Sequence, residues 1–156
     1  MGEKKDNVQM LGNKALLDMP KTAFLASSHI KSGEVMACYE WAIRMRDEGR
    51  CVVSGFSSRL ERDVFDFLKQ GQQPIIIVLA RQLYHKTPEE WQPLIDANRL
   101  LVISVSNTPR QSRQTALIRN RYVADIAQHL VLVGVTENSS LYNFYEKYKD
   151  KIVALT

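Results

Sequence analysis

Three stretches of this chain, QPIIIVLA at residues 73–80, LLVISVS at 100–106 and HLVLVGV at 129–135, are apolar at nearly every position. A strand with one wet face alternates apolar and polar residues, so a run without a polar face must be covered on both sides. That is the situation of a central parallel strand between two layers of helices. Between these runs the period changes. SGEVMACYEWAIRMRDEG (32–49) sets Val35, Met36, Tyr39, Ala42, Ile43 and Met45 close to the helical repeat, with Ser32 as N-cap and Gly49 as the stop. SSRLERDVFDFLKQG (57–71) carries Leu60, Val64, Phe67 and Leu68 on one stripe and ends at Gly71. In TPEEWQPLIDANR (87–99), Thr87 caps a helix and Pro88 takes its first position.

Two further runs, TAFLASS (22–28) and RCVVSGF (50–56), read as strands. A helix from about Gln114 to Gln128 separates the strands at 100–106 and 129–135, and SSLYNFYEKYKDK (139–151) followed by IVAL (152–155) reads as a last helix and a last strand. The pattern amounts to about six strands interleaved with five helices on short connections, which predicts a Rossmann-like three-layer α/β/α sandwich with a mostly parallel central sheet. At 156 residues and 45% apolar the chain has enough material for one core and no linker that would separate a second. Residues 1–20, polar or weakly patterned, read as an N-terminal extension to a single domain at 21–156.

The two cysteines, Cys38 and Cys51, lie inside apolar segments and form no CxxC or Cys/His cluster, so buried free thiols are expected and no metal. No apolar run approaches the ~20 residues of a membrane span, and MGEKKDNVQ is polar where a signal peptide has its apolar stretch, so a cytoplasmic location and no membrane partner are expected. The net charge of +4 permits an anionic partner without demanding one.

In an open parallel sheet, ligands sit beyond the carboxyl ends of the strands, where loops meet helix N-termini. The loops that fall there carry Ser27, Ser28 and His29, then Ser54, Gly55, Ser57 and Arg59, then Ser106 to Arg110, and finally Thr136 to Ser140. They are rich in hydroxyls, small residues and helix-starting backbone N–H groups, the ingredients of a phosphate site, although Ser and Asn also serve simply as helix caps. Neither GxGxxG nor GxxxxGK[ST] is present, so no dinucleotide or triphosphate cofactor is expected. No Ser/His/Asp or paired-carboxylate arrangement stands out, which favours binding over turnover.

Arg110, Arg113, Arg119 and Arg121 fall within RQSRQTALIRNR, with no carboxylate between Asp96 and Asp125. Arg119 and Arg121 are about 200° apart on a helix and cannot serve one contact. Bunched at the ligand edge, these guanidinium groups suit phosphate recognition. Tyr122 and Phe56 could stack on bases or belong to the core.

VVSGF at 52–56, IIIVLA at 75–80, IRNRYVADIAQHLVLVGV at 118–135 and NSSL at 138–141 together resemble the Rossmann domain of the DNA-processing protein A family (DprA, also called Smf) over roughly residues 20 to 156. That family carries SGLARGID after its second strand, RNRIIAGLS leading into VLVVEA, and SGSL at the next helix. Here Arg59 stands for the family's glycine and Glu61 for its aspartate, and ARQLYHKTPEE replaces a glycine-rich turn. The accessory domains of longer members have no counterpart, so the chain looks like a short, divergent, stand-alone member. The resemblance implies single-stranded DNA binding through a basic pocket, a homodimer and, in full-length relatives, delivery of strands to the RecA recombinase. It places Arg119 and Arg121 in that pocket, gives Asn120 the task of fixing the helix, and sets Ser54, Gly55, Ser139 and Ser140 in the matching loops. Ser28, Ser57, Arg59, Arg110 and Arg113 join the candidate site on chemical grounds. A nucleotide-binding or nucleotide-cleaving domain is the alternative, with Glu61 or Glu137 near the phosphates, and an interaction scaffold with a decayed pocket is a third reading.

Overall fold

The computed structural model describes residues 8–155. Its six strands are β1 (Gln9–Gly12), β2 (Lys21–Ala26), β3 (Cys51–Ser54), β4 (Ile75–Leu79), β5 (Leu100–Ser104) and β6 (His129–Val133). The helices are α1 (Ser32–Asp47), α2 (Arg59–Leu68), α3 (Gln92–Asp96), α4 (Arg113–Ile126) and α5 (Phe144–Lys147), with 3-10 turns at Lys14–Asp18 and Glu89–Trp91. The sheet order is β1-β5-β4-β3-β2-β6. All neighbouring pairs are parallel except the edge pair β1 and β5.

The unbroken apolar runs do cover both faces. Ile75, Ile77 and Leu79 of β4 join one core with Trp41 of α1, Val64 and Leu68 of α2 and Leu94 of α3. Ile76 and Val78, pointing the other way, join a second core with Val123 and Ala124 of α4 and Phe144 of α5. Helices α1, α2 and α3 thus form one outer layer, and α4 and α5 the other, as the three-layer expectation requires. The Trp41 ring stacks on Phe24 at 5.0 Å between centroids, fixing α1 against β2.

Several local expectations need correction. The weakly patterned N-terminal stretch supplies β1, a four-residue edge strand whose half-wet burial leaves little periodic signal. The counterpart loss is IVAL: only Ile152 bridges to Leu130, and Arg44 takes the Leu155 carbonyl, drawing the tail towards α1. Ser32 lies inside α1, and Lys31 is its N-cap, its backbone N–H donating to Glu34 Oε1 at 3.3 Å. The helix expected at 87–99 breaks into a 3-10 turn and the short α3, because Pro93 has no N–H with which to continue the earlier turn. Most of 139–151 is turn, with Ser139 Oγ accepting the Leu141 N–H and competing with a helical ladder. Residues 1–7 of the polar N-terminus lie outside the described residues.

Cys38 and Cys51 are both free and buried. Burial, with the Glu34 carboxylate adding to it at Cys38, pushes each thiol up to about 12, so both stay protonated and unreactive at neutral pH. The folded protein should therefore consume no thiol reagent at mildly alkaline pH and two equivalents once denatured; rapid reaction of either thiol in the native state would contradict this packing.

Candidate functional site

The order in which successive strands are added across the sheet reverses at β2, with β3 to β5 on one side and β6 on the other. The loop after β2 runs to α1 on one face, whereas β6, beside β2 in the sheet, is followed by the α5 segment on the other. Two loops that part in this way leave a crevice at the carboxyl ends of the strands, the usual place for a ligand in an open parallel sheet.

Glu61 builds the crevice. Ser58 Oγ caps α2 by accepting the Glu61 N–H at 3.3 Å, which fixes the first turn and aims the Glu61 side chain back over the strand ends. Its Oε2 accepts the Ala26 N–H at 2.9 Å, and its Oε1 accepts the N–H groups of Ser57 at 2.9 Å and Ser58 at 3.2 Å. One buried carboxylate thereby ties the end of β2 to the β3–α2 loop. Three backbone donors take up most of the acceptor capacity of its two oxygens, so Glu61 serves as a tether between the loops. Glu137 is exposed and lines neither cleft described below.

Arg119 is the second fixed element. It comes from the middle of α4 and is 4% exposed. Its Nε donates to Asn120 Oδ1 at 2.8 Å, and its Nη1 points to the Val78 carbonyl at 3.5 Å. The guanidinium lies across Gly55, where an added Cβ would fall 2.4 Å from Nη1 and 2.6 Å from Cζ. Only a glycine leaves room for that approach. The next residue, Phe56, has φ 49°, a left-handed conformation costing a non-glycine residue ~1–2 kcal/mol. Ser54 Oγ accepts the Phe56 N–H at 3.0 Å, and Phe56 packs against Phe65 with 5.1 Å between ring centroids; these contacts hold the turn. Burial pushes the Arg119 pKa down, and the negative field of Glu61 opposes that fall. The side chain keeps its charge, as arginine does in proteins. Among the described residues no carboxylate comes within salt-bridge distance of it.

Arg119 is a wall of two clefts. The first, about 320 Å³, is lined by Ser28 and His29 after β2, Ser57 and Ser58 before α2, Asn120, and Asn138 to Ser140 after β6. The second, about 550 Å³, opens over β3 and β4 between Gly55, Ser57, Arg59, Arg62, Gln111, Arg81, Tyr84 and Trp91. The structure therefore brings together Ser28, Ser57, Arg119, Asn120, Ser139 and Ser140 in one cleft, and places Gly55 and Arg59 in the other. Four candidates fall elsewhere. Ser54 is fully buried beneath its turn. Arg110 and Arg113 are exposed and line neither cleft. Arg121, about 200° round α4 from Arg119, is exposed on the side where Tyr148 meets Asp125. Of the two aromatic candidates, Phe56 is a core residue, and Tyr122 packs half-buried against the second core. Arg62, Arg81, Tyr84 and Gln111 were not singled out from the sequence. For Arg81 and Tyr84 the signal was an arginine and an aromatic in the loop ARQLYHKTPEE, which matches no phosphate-loop pattern; Arg62 in α2 and Gln111 ahead of α4 carried none.

Fold and crevice define a Rossmann-like domain with an anion-suited site at its strand ends. The model of the DNA recombination-mediator protein A family matches residues 7–143, and the chain belongs to that family. Among solved structures it is similar to DNA processing protein A (DprA) from Streptococcus pneumoniae, at 20% identity and a TM-score of 0.75, covering 94% of this chain and 54% of that one. It is also similar to DNA processing protein A from Helicobacter pylori, described for its single-stranded DNA binding mode, at 18% identity and a TM-score of 0.73, covering 94% and 70%. The molybdenum cofactor carrier protein of Chlamydomonas reinhardtii shares the fold at 14% identity and a TM-score of 0.56, over 86% of this chain and 75% of that one. No curated protein sequence matches this chain. The chain spans about half the length of the Streptococcus pneumoniae protein.

Replacing Glu61 by Gln leaves one acceptor oxygen for three backbone donors and removes the charge beside Arg119. E61Q should cost about 2 kcal/mol in urea denaturation. A change within error would show that the carboxylate does not hold the loops together.

Proposed function

We propose that this protein binds single-stranded DNA at the crevice beyond the strand ends, with Arg119 as the central phosphate contact, in a DNA-processing role. The observation that carries the reading is Arg119 itself: a charged, almost fully buried guanidinium, held by Asn120 and Val78, without a carboxylate partner among the described residues, and facing two clefts. A buried cation of this kind costs stability until an anion meets it, and phosphate suits its fork of donors. Ser28, Ser57, Ser139 and Ser140 would add hydroxyl donors, and Arg59 a second cation at the neighbouring mouth. Family membership and the Helicobacter pylori relative support the same ligand.

The nucleotide-cleaving alternative is not favoured. It needs a carboxylate free to act near the phosphates, and the Glu61 oxygens are engaged by Ala26, Ser57 and Ser58. We also infer a cytoplasmic location and self-association, the latter testable by sedimentation; no helix among the described residues is long and apolar enough to cross a membrane.

Fluorescence anisotropy of a labelled ~20-nucleotide single strand should show binding that weakens as salt rises, with a logarithmic slope of about −0.7 for each phosphate neutralised. Arg119→Ala should weaken it by roughly tenfold or more, the scale of a lost charge-assisted bond, while Arg121→Ala should change it less than about twofold. Equal losses in the two variants would remove the crevice as the binding site.

A further inference from the structure

The larger cleft has a wall that the phosphate reading leaves unused. After β4 the chain turns at Arg81, whose carbonyl accepts the Ser104 hydroxyl at 2.6 Å, while the Gln82 N–H donates to the Thr108 carbonyl at 2.8 Å. The start of the 80–88 connection is thus pinned to β5 and the loop beyond it. From this anchorage Arg81 lays its guanidinium over the Tyr84 ring at 4.0 Å from the centroid, its Nε donating to the Gln82 carbonyl at 2.9 Å. Tyr84 in turn meets the buried Trp91 edge to face at 5.8 Å. Despite these contacts Tyr84 remains 41% exposed. An aromatic ring fixed on two sides and open at the mouth of a cleft is a stacking platform.

The charges of the cleft decide what would stack there. Asp63, Asp66 and Glu90 line it alongside Arg59, Arg62 and Arg81. Lys69 pairs with Asp66 at 3.1 Å and Glu90 at 3.0 Å, and Asp63 accepts the Tyr39 hydroxyl at 2.8 Å. With carboxylates interspersed among the arginines, this space is less suited to a phosphodiester than the serine-lined cleft, whereas an uncharged, planar, amphipathic group meets no penalty from the mixed charges. The floor of Ile77, Leu79 and Ala80 is apolar, and the 550 Å³ lies within the ordinary range of ligand pockets. Arg119 lines both this space and the serine-lined cleft, so a strand whose phosphate rests on that guanidinium borders the space that Tyr84 also lines.

We propose that the cleft between Tyr84 and Arg59 accepts a nucleobase of the bound strand, stacked on the Tyr84 ring. The inference rests on the single-strand reading above and adds a base contact to it. Stacking on an aromatic side chain is tolerant of sequence, so the contact would strengthen binding with little base preference.

The test compares two labelled strands of equal length, one with bases and one abasic throughout, against wild type, Tyr84→Ala, Tyr84→Phe and Arg119→Ala. Wild type is expected to prefer the base-bearing strand by roughly tenfold, the scale of one stacked base. In Tyr84→Ala that ratio should fall most of the way to one, and Tyr84→Phe, which keeps the ring, should restore it. Arg119→Ala should weaken both strands. A Tyr84→Ala protein with the wild-type ratio, or a Tyr84→Phe protein as impaired as Tyr84→Ala, overturns the base site and leaves the phosphate site standing. Failure of wild type to bind either strand overturns both.

Discussion

Much of the strand-end geometry depends on how one buried carboxylate and one buried guanidinium are accommodated. Glu61 spends its oxygens on backbone donors from two loops, and the negative field it adds to the crevice helps Arg119 remain charged despite burial. Arg119 can lie where it does because residue 55 has no side chain. The strained Phe56 that follows is held by Ser54 Oγ and by packing on Phe65, both consequences of the same turn. Each feature would be costly alone. Together they form a preorganised cation whose desolvation has been met at folding, so that an incoming anion need not bring it about.

The two clefts that share this guanidinium differ in chemistry. One is ringed by serines, Asn120 and Asn138 and has Glu61 turned inward against the backbone; it offers donors to an anion. The other sets arginines against carboxylates over an apolar floor and presents an aromatic ring; it offers a surface to something planar. A single strand of DNA alternates those two kinds of group along its length. The Helicobacter pylori relative is described for single-stranded DNA binding, while the loop at 80–88 is what gives this chain its aromatic wall.

The layered α/β architecture was legible because it rests on period and burial: a run such as IIIVL at 75–79 has few alternatives. The elements read wrongly were those with little periodic signal or with a local competitor. Strand β1 is short and half-wet, the IVAL tail follows Arg44 away from the sheet, and Pro93 interrupts what composition makes helical. At the site, loop position after each strand pointed to Ser28, Gly55, Ser57, Ser139 and Ser140, which line the clefts, whereas the helical angle showed only that Arg119 and Arg121 face different ways and left both as candidates. Arg110 and Arg113 were grouped with them by sequence proximity, which does not fix direction in a loop. Tyr84 escaped because an exposed aromatic in a polar loop has no period, and its platform exists only through Arg81 and Trp91, brought to it by the fold.

Titration of isotopically labelled protein with a short single strand, followed by amide and arginine side-chain NMR signals, tests the central claim most directly. The account predicts that the Arg119 Nε–H and the amides of Ser28, Ser57, Ser139 and Ser140 shift together and saturate together, with the Arg121 side chain unmoved. Shifts centred instead on the opposite edge of the sheet, around Arg44, Arg50 and His129, would contradict it.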